Sequence, residues 1–396
     1  MSSEVELVPV VVDGTEITDV RFPESPQEMS ATLRELQPVD AHALIVGGGT
    51  RSAFGNLGGS FDLAISTRKL NRILQYEPDN MTMAVEPGCT IEQIREALAA
   101  NRQSIALDAA HDSRSTIGGA YATGMSGPRR LGGGSLKDWV IGVEVMGPDG
   151  VNAKAGGMVV KNVTGFDMMH LHYGALGAFG VVTRLNLKVF PAPTASRSIQ
   201  LVYTTPEHAH AAAVTLITSQ LLPASIVVAN TPEGWQTSVR CDAPEEAIEL
   251  LVQRMNAVAA DAAEPISANV SDDGSDALSA FRDTADLAAG DIVVRLPIRA
   301  SYQPAALPRL ADTGWRVCAD VGSGLVYARR PSSDALDDGG IEAFSTATWL
   351  ALPRHLKTDR DVFGPTPDAV QPILRRLKDS FDPERRLNRG RFALGL

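Results

Sequence analysis

Glycine is concentrated in one part of this 396-residue chain, because about two-thirds of its 35 glycines lie between Gly47 and Gly180. Glycine is used where the backbone takes positive φ angles or must approach another group closely. This concentration therefore indicates that the stretch folds against a bound ligand. From about residue 198 onward glycine thins and alanine rises, which indicates a second unit of different architecture.

Composition excludes several classes of protein. A content of 44% hydrophobic and 21% charged residues is typical of a globular chain, and the length suggests about two or three domains. No apolar run reaches the roughly 18 residues of a membrane span, and residues 1–6 lack the features of a signal peptide. We therefore expect a soluble, cytoplasmic protein without a membrane span.

Charge and cysteine usage narrow the classes further. The 36 basic and 47 acidic residues give a net charge of −11, which repels polyanions, so no nucleic-acid partner is expected. Cys89, Cys241 and Cys318 show no C-x-x-C spacing. We interpret them as reduced structural thiols and predict no metal site.

Local patterns predict regular elements in the first half of the chain. Ser25-Pro-Gln-Glu28 predicts a helix that begins at Pro26, and Thr90-Ile-Glu-Gln93 is a second capping box. The strand predictions are a buried strand at residues 43–46, a strand–turn–strand unit at 140–146 and 151–155, and a half-buried strand with period-two alternation at 181–190.

The second half alternates strand-like and helical runs, which predicts an α+β unit. Thr205 caps a helix that begins at Pro206, and apolar spacing marks another helix near residues 248–255. Residues 271–291 are predicted to form a loop or a loosely packed helix. A last amphipathic helix is expected at residues 373–381, with Pro372 in its first turn.

The glycines form three clusters. The first, Gly47-Gly-Gly-Thr50 continuing to Gly55, follows a predicted strand, so its amides can form an anion-binding concavity. It lacks the Gly-Lys-Ser/Thr ending of a P-loop, and Ser52 stands where a Rossmann fingerprint needs Gly or Ala. Taken alone, the cluster is as consistent with a tight connection between two elements as with an anion-binding loop.

The other two clusters lie at residues 116–130 and 174–180. So many glycines are costly in conformational entropy, and a large flat ligand lying on bare backbone would explain the second cluster. The third cluster runs directly into a strand. It fits either a ligand that passes between loop and sheet or a helix packed closely on a sheet.

In this order the clusters resemble the FAD-binding domain of the vanillyl-alcohol oxidase and p-cresol methylhydroxylase (PCMH) type, and within it the family of FAD-binding subunits of bacterial glycolate oxidase. The resemblance covers most of residues 25–190. Its motifs are Val46-Gly-Gly-Gly-Thr50, Val85-Glu-Pro-Gly88, Thr116-Ile-Gly-Gly119, Ser126-Gly-Pro-Arg-Arg130, Lys161-Asn-Val-Thr-Gly-Phe-Asp167, Gly177-Ala-Phe-Gly-Val-Val-Thr183 and, more weakly, Leu387-Asn-Arg-Gly-Arg391.

The resemblance implies an FAD site with three groups of residues. One group would hold the pyrophosphate, one would line the diphosphate and the isoalloxazine, and one would contact the adenine and ribose. In that order the groups are Gly47, Gly48, Gly49, Thr50 and Ser52; Thr116, Gly118, Gly119, Thr123 and Gly127; and Gly180 with Val182. The first loop contains no His and Cys89 lies outside the second cluster, so noncovalent FAD is predicted.

Two residues are candidates for the reaction itself. His111 matches a His of the glycolate oxidase subunits, although alanines precede it where prolines are usual, and a structural histidine is the alternative. Arg295 is placed to anchor a hydroxy-acid carboxylate, or else pairs with an acid on the sheet. The chain departs from the family at Phe166 for Tyr and Arg389 for Pro, and it lacks the His-rich metal signature of related D-lactate dehydrogenases.

The resemblance implies a two-lobed α+β flavoprotein. We predict an FAD-binding PCMH-type domain at residues 1–192, an α+β cap domain at 193–355, and a C-terminal segment at 356–396 that returns to the FAD domain. The implied activity is oxidation of a small 2-hydroxy acid such as glycolate or D-lactate, with electrons passed to a partner protein or quinone.

A noncatalytic subunit that holds FAD for electron relay or assembly is the alternative. In either case the implied partners are a second FAD-containing oxidase subunit and an iron–sulfur subunit. The complex would be cytoplasmic, or peripheral at the inner face of the membrane through those partners.

Overall fold

The computed structural model describes residues 10–158, 167–287, 291–332, 341, 344 and 346–396. Most of one family motif, residues 161–166 with Phe166, lies outside these ranges, as does the end of the acidic stretch at residues 288–290.

A small parallel sheet and its helix begin the described chain. The strands, in the spatial order β3–β5–β4, are β3 (Val20–Arg21), β4 (Ala43–Val46) and β5 (Leu63–Ser66), and a hairpin of β1 (Val10–Val12) and β2 (Thr15–Ile17) precedes them. Helix α1, Pro26–Leu36, begins at the predicted residue. The Ser25 hydroxyl accepts a hydrogen bond from the Glu28 amide at 3.2 Å, which satisfies one of the unpaired amides of the first turn.

A five-stranded antiparallel sheet follows in the order β10–β9–β11–β7–β6. Its strands are β6 (Ile73–Glu77), β7 (Thr82–Val85), β9 (Val140–Met146), β10 (Asn152–Gly156) and β11 (Val181–Lys188). The accompanying elements are α2 (Ile91–Ala99), α3 (Ile117–Thr123), α4 (Arg130–Gly133), α5 (Leu136–Trp139), α6 (Met168–His172), and the short pair β8 (Gln103–Ser104) with β12 (Phe190–Pro191). The predicted capping box of α2 is present, with Thr90 and Gln93 bonded reciprocally.

Strand β11 is more deeply buried than its alternating sequence predicts. It is a central strand, paired with β9 along one edge and with β7 along the other. Asn186, expected on a polar face, is only 7% exposed, and Arg184 and Lys188 are partly exposed. The prediction of a strand is confirmed and the prediction that it is half-buried is wrong, because alternation on its own does not reveal what packs on the second face.

An eight-stranded antiparallel sheet dominates the second half, in the order β16–β13–β15–β14–β18–β19–β17–β20. The strands are β13 (Ala195–Tyr203), β14 (Ser225–Thr231), β15 (Gly234–Ala243), β16 (Ser267–Ser271), β17 (Ile292–Pro297), β18 (Arg316–Asp320), β19 (Leu325–Arg330) and β20 (Thr348–Ala351). The mixed α+β class predicted from the sequence is confirmed.

Helices pack on this sheet around one large apolar core. They are α7 (Pro206–Thr218), α8 (Ile248–Ala262), α9 (Ser279–Ala285) and α10 (Gln303–Asp312). Helix α9 lies in the stretch expected to be a loop or a loose helix, yet Phe281 and Thr284 are buried and the Phe281 ring packs edge-on against Tyr327. In the part of the chain described here, no helix is both long enough and apolar enough to cross a bilayer.

The C-terminal residues contact the first half of the chain. Helix α11, Gln371–Phe381, begins two residues before the expected position and carries Pro372 in its first turn. Within α11, Lys378 is fully buried, and its ammonium group donates to the Asp382 carboxylate at 2.8 Å and to the Ala178 and Leu387 carbonyl oxygens at 2.8 and 3.1 Å. Burial lowers the pKa of Lys378 and the Asp382 charge opposes that shift.

The Lys378–Asp382 pair generates a stability prediction. Asp382→Ala leaves a buried ammonium without its counter-charge, and breaking a buried pair in this way costs about 3–5 kcal/mol. Asp379→Ala is the matched control, because Asp379 pairs with Arg385 at the surface near the same helix end and exposed pairs contribute less than about 1 kcal/mol. Urea unfolding of both variants checks this, and equal losses would contradict it.

Candidate functional site

The first glycine cluster leaves strand β4 as a loop with free backbone donors. The amides of Gly48, Gly49, Thr50 and Arg51 donate to no acceptor within the residues that the structure describes. The Ser52 hydroxyl donates to the Gly49 carbonyl oxygen at 2.7 Å and so braces the turn. Successive unpaired amides form a concavity that binds phosphate-like anions.

Gly48 and Gly49 of this loop are glycines for different physical reasons. A Cβ at Gly48 would overlap the carbonyl group of Arg114, whose carbon lies 2.9 Å from that position, so the loop and residue 114 pack backbone against backbone. Gly49 has φ +75° and open space around it. The glycine at position 48 is therefore required by packing within the protein, and only position 49 leaves room beside the backbone.

Helix α3, from the second cluster, has no free amide at its first residues. The Ile117 and Gly118 amides donate to the carbonyl oxygens of Cys89 and Pro87, each at 2.9 Å, and the next amide donates to the hydroxyl of Thr116. The donors available to an anion therefore lie in the first loop rather than at the start of α3.

One cavity brings the three glycine clusters together. All but one of the predicted cofactor residues line it, namely Gly47, Gly48, Gly49, Thr50, Ser52, Thr116, Gly118, Gly119, Thr123, Gly180 and Val182. The exception is Gly127, which is not a lining residue; a Cβ there would lie 2.7 Å from the carboxyl carbon of Asp108. We call this space the FAD cavity, after the cofactor that the sequence motifs predict.

The acidic side chain in the lining of the FAD cavity is neutralised. Asp108 is 5% exposed and accepts hydrogen bonds from the Arg129 amide at 2.9 Å and from its guanidinium at 2.5 Å. The Arg129 guanidinium also donates to the Leu107 carbonyl oxygen at 2.8 Å. An anion in the cavity therefore does not face an unbalanced carboxylate at this position.

Residues near the C-terminus fix the ends of the cavity. The Asn388 side chain accepts a hydrogen bond from the Ile45 amide at 2.7 Å and donates to the Leu176 carbonyl oxygen. It thereby joins strand β4 to the third glycine cluster. Asn388 and Arg391 both line the FAD cavity.

A buried ion cluster holds the far side of the first loop. The Asp13 carboxylate pairs with Lys357 at 2.6 Å and with Arg391 at 3.1 Å. The two cations also donate to carbonyl oxygens of residues 52–55, at distances of 2.6 to 3.0 Å. Burial lowers the pKa of Lys357 and of Arg391, and the Asp13 charge opposes that shift. Each of the three buried charges is therefore compensated by the others.

Histidine and cysteine near the FAD cavity are not activated. His172 lines it, and burial lowers its pKa to about 4, which leaves the imidazole neutral at pH 7. Burial raises the pKa of the Cys89 thiol to about 12, so it stays protonated. Cys89, Cys241 and Cys318 are free and buried, and their prediction as reduced thiols is confirmed.

His111 is positioned differently from the other predicted residues. Its imidazole Nε2 lies 3.1 Å from an Asp286 carboxylate oxygen, and it is about one-third exposed. His111 is not a lining residue of the FAD cavity. The structure therefore connects it to the residues that follow α9 rather than to the glycine clusters.

A second space, which we call the basic cleft, adjoins the FAD cavity. Its lining residues are Gly124, Arg130, Ser135, Lys137, His170, Tyr173, Arg295, Pro297, Leu325 and Thr348. Gly124 directly follows Thr123 of the FAD cavity, and the Tyr173 hydroxyl donates to the Gly124 carbonyl oxygen at 2.9 Å. The cleft thus lies between the second glycine cluster and the eight-stranded sheet.

Strand register places Arg295 in a polar row. Arg295 on β17 is directly opposite Tyr327 on β19 and Thr348 on β20, and opposite residues of antiparallel strands share a face. Tyr327 is 2% exposed, and its hydroxyl has no hydrogen-bond partner among the described residues. Burial raises the pKa of Tyr327, while the charge of Arg295 opposes that shift, so the phenol is neutral at pH 7.

Arg51 of the first loop is influenced by the charge of Arg295 in the basic cleft. It lines the FAD cavity, and its guanidinium contacts the Met125 sulfur. Its pKa is lowered to about 10, chiefly by burial and also by the charge of Arg295, whereas Tyr327 acts in the opposite direction. The sequence analysis did not predict Arg51, although a cation within the first loop was a visible signal. It did not predict Tyr327 either, because only the strand register indicates its position.

Comparison with known proteins agrees with this geometry. Residues 18–167 match the family model described as an FAD binding domain. The chain is 35% identical over 129 residues to glycolate oxidase subunit GlcE of Escherichia coli (strain K12), a match that covers 32% of this chain and 37% of the relative. It is 29% identical over 232 residues to glycolate oxidase subunit GlcD of Bacillus subtilis (strain 168), covering 54% and 48%.

A D-lactate dehydrogenase of Archaeoglobus fulgidus is 28% identical over 169 residues, which cover 43% of this chain and 38% of the relative. The chain thus spans between about a third and a half of the length of these curated relatives. Among solved structures, an alkyldihydroxyacetonephosphate synthase has the same fold, with a TM-score of 0.66 at 14% identity over 93% of this chain and 76% of that one. Residues 18–167 are therefore similar in sequence to an FAD binding domain.

Proposed function

We propose that the chain is an FAD-dependent oxidoreductase that oxidises a small 2-hydroxy acid such as glycolate or D-lactate. The observation that carries the proposal is Arg295, which lines the basic cleft beside the cavity formed by the glycine clusters. The names of the glycolate oxidase subunits and the D-lactate dehydrogenase support the same class of substrate.

In this proposal the first loop holds the FAD diphosphate. The free amides of residues 48–51 supply hydrogen-bond donors to an anion without requiring a basic patch. The second cluster lines the flavin and the third, with Gly180 and Val182, lies along the adenine–ribose end. We propose noncovalent binding, because His172 is neutral and Cys89 is protonated and buried.

The substrate lies against the eight-stranded sheet in this proposal. The Arg295 guanidinium binds the carboxylate bidentately. Bound FAD would supply the two-electron chemistry by accepting a hydride. The His111 assignment stays a prediction, and its pairing with Asp286 supports the structural alternative.

We also propose that electrons leave through a partner. The relatives named GlcE and GlcD are both subunits of glycolate oxidase, which supports a complex with a second FAD-containing subunit and an iron–sulfur subunit. In this proposal the complex lies in the cytoplasm, or at the inner face of the membrane through its partners. Oxidation by a partner, with this chain as an FAD-holding relay, is the alternative.

A pair of substitutions at Gly49 tests the anion-binding loop. Asp and Asn have the same shape and both tolerate the positive φ of this position, where there is open space. Gly49→Asp adds a charge that repels a diphosphate, so FAD affinity should fall at least about tenfold relative to Gly49→Asn. Titration of apoprotein by flavin fluorescence measures this, and equal affinities would show that the diphosphate lies elsewhere. Gly48→Asp is a poorer test because its Cβ overlaps the Arg114 carbonyl.

Substitution of Arg295 tests the carboxylate anchor. Removing a charge-assisted, bidentate interaction costs about 2–3 kcal/mol, so Arg295→Gln should lower kcat/KM by roughly 30- to 150-fold, and Arg295→Lys by less. FAD content should stay unchanged. Arg299→Gln, two residues beyond β17 and exposed, is the control. Equal kcat/KM values for the Arg295→Gln and control variants would remove Arg295 from the substrate site.

Anaerobic reduction distinguishes the enzyme from the relay. The FAD-loaded chain should lose its visible flavin absorbance when glycolate or D-lactate is added to it alone. Loss of absorbance only after a copurified subunit is added would favour the relay. A chain that neither contains nor takes up FAD would contradict both.

A further inference from the structure

Strand β16 is the outer strand at one edge of the eight-stranded sheet, where it pairs only with β13. Successive residues of a strand direct their backbone amide and carbonyl groups to alternate sides, so about half of these groups in β16 point away from the sheet. Residues 267–270 are exposed, and among the described strands none pairs with this outer side. Strand β16 therefore offers an unpaired row of donors and acceptors to a second strand.

The other edges of the two large sheets are protected against such pairing. Strand β6 has an irregular register between Ile73 and Gln75, and β10 carries the exposed Lys154. The outer side of β20 is occupied, because the Trp349 amide donates to the Val362 carbonyl oxygen at 2.7 Å. Irregular register and lysine side chains are features that keep edge strands from pairing with another chain. Within the described residues, β16 itself has none of these features, since its residues are uncharged and pair with β13 in regular register.

An apolar row runs along one face of this edge. Ile266, Ala268 and Val270 alternate with polar residues, and Ile266 and Val270 are 61% and 44% exposed. The register places Val270 opposite Ile199 and Ala268 opposite Leu201, and both of these β13 residues belong to the large apolar core. Opposite residues share a face of the sheet, so the row is the uncovered margin of that core. Covering it would remove apolar surface from water.

The sequence of β16 is complementary to itself. Ser267-Ala-Asn-Val-Ser271 has the same kind of residue at equal distances from Asn269, so two antiparallel copies centred there pair Ser with Ser and Ala with Val. This is also the register in which all five residues of β16 are paired. A two-fold axis perpendicular to the sheet keeps both apolar rows on the same face.

The acidic residues near the ends of β16 do not face each other in this register. Asp272 lies opposite Ile266 of the other copy, and Glu264 lies opposite Gly274. Within each copy, Arg197 pairs with Asp272 at 3.1 Å. The net charge of −11 on each chain opposes association, but exposed charges more than about 10 Å apart are largely screened at 0.1 M salt. The contact consists of backbone hydrogen bonds and apolar side chains, so added salt should not weaken it.

We propose that two copies of this chain associate through β16, antiparallel and centred on Asn269, so that their eight-stranded sheets form one continuous sheet. The association is strand addition between two identical edges, and the apolar rows meet side by side. It is independent of the cofactor and of the reaction proposed above.

The molar mass in solution tests the association. Light scattering of the purified full-length chain, at concentrations up to about 100 µM, should give twice the 42.0 kDa of one copy in low and in high salt. Val270→Lys places an ammonium group in the apolar row and should raise the dimer Kd at least about tenfold, whereas Val270→Ile should preserve the dimer. Ile73→Lys is the matched control, because Ile73 is 39% exposed on β6 at the edge of the other large sheet. Circular dichroism should show the same fold for all variants.

Engineered cysteines test the register. Opposite residues of antiparallel strands have Cα atoms about 4.5–5.5 Å apart, which is within the range of a disulfide. Asn269→Cys should therefore give a cross-linked dimer under mild oxidation. Ser267→Cys is the control, since its two copies are about 13 Å apart along the strands at about 3.3 Å per residue. The native Cys89, Cys241 and Cys318 are buried and do not compete.

Three results would overturn the proposal. The first is a chain that stays monomeric over this range of concentration. The second is a dimer that Val270→Lys and Ile73→Lys weaken equally, which would place the interface elsewhere. The third is a dimer in which Asn269→Cys is cross-linked no more efficiently than Ser267→Cys, which would contradict the register.

Discussion

The carboxylate of Asp13 is the constraint on which the geometry of the FAD cavity depends. It compensates Lys357 and Arg391, and these cations bind the carbonyl oxygens at residues 52–55 that terminate the first glycine loop. A buried cluster of this kind contributes little net stability, but removing one member leaves the others uncompensated. Its effect is to specify one loop geometry. Because the cations lie 302 or more positions from the groups they bind, the loop takes this geometry only when the two ends of the described chain are folded together.

Glycines in the clusters that are predicted to bind FAD are also required by packing within the protein. Gly48 is excluded from bearing a side chain by the Arg114 carbonyl, and Gly118 by the backbone of Pro87. The first loop packs in this way close to residues 114–116, and its amides at residues 48–51 have no acceptor among the described residues. An acidic chain can therefore hold an anionic cofactor through backbone dipoles, since amide donors carry no net charge and do not depend on the overall charge balance.

Local signals in the sequence predicted local structure well. Ser25 and Thr90 cap the helices that their spacing predicts, because a capping box involves residues only three positions apart. The ordered glycine motifs predicted the FAD-binding domain, and all but one of the cofactor residues predicted from them line its cavity. The burial of β11 was missed because covering of the second face depends on elements distant in sequence. The row of Arg295, Tyr327 and Thr348 was missed for the same reason, since register between strands leaves no local pattern.

Arg51 provides a physical link between the FAD cavity and the basic cleft. Even with its pKa lowered to about 10, its guanidinium is charged at neutral pH, and the charge of Arg295 is one cause of the lowering. Two neighbouring cations both attract an anion placed on either one, so Arg51 of the first loop adds to the positive field at Arg295. An anion bound beside Arg51 would reduce that field, and a carboxylate on Arg295 would reduce the field at Arg51. By thermodynamic linkage these two effects on binding free energy are equal.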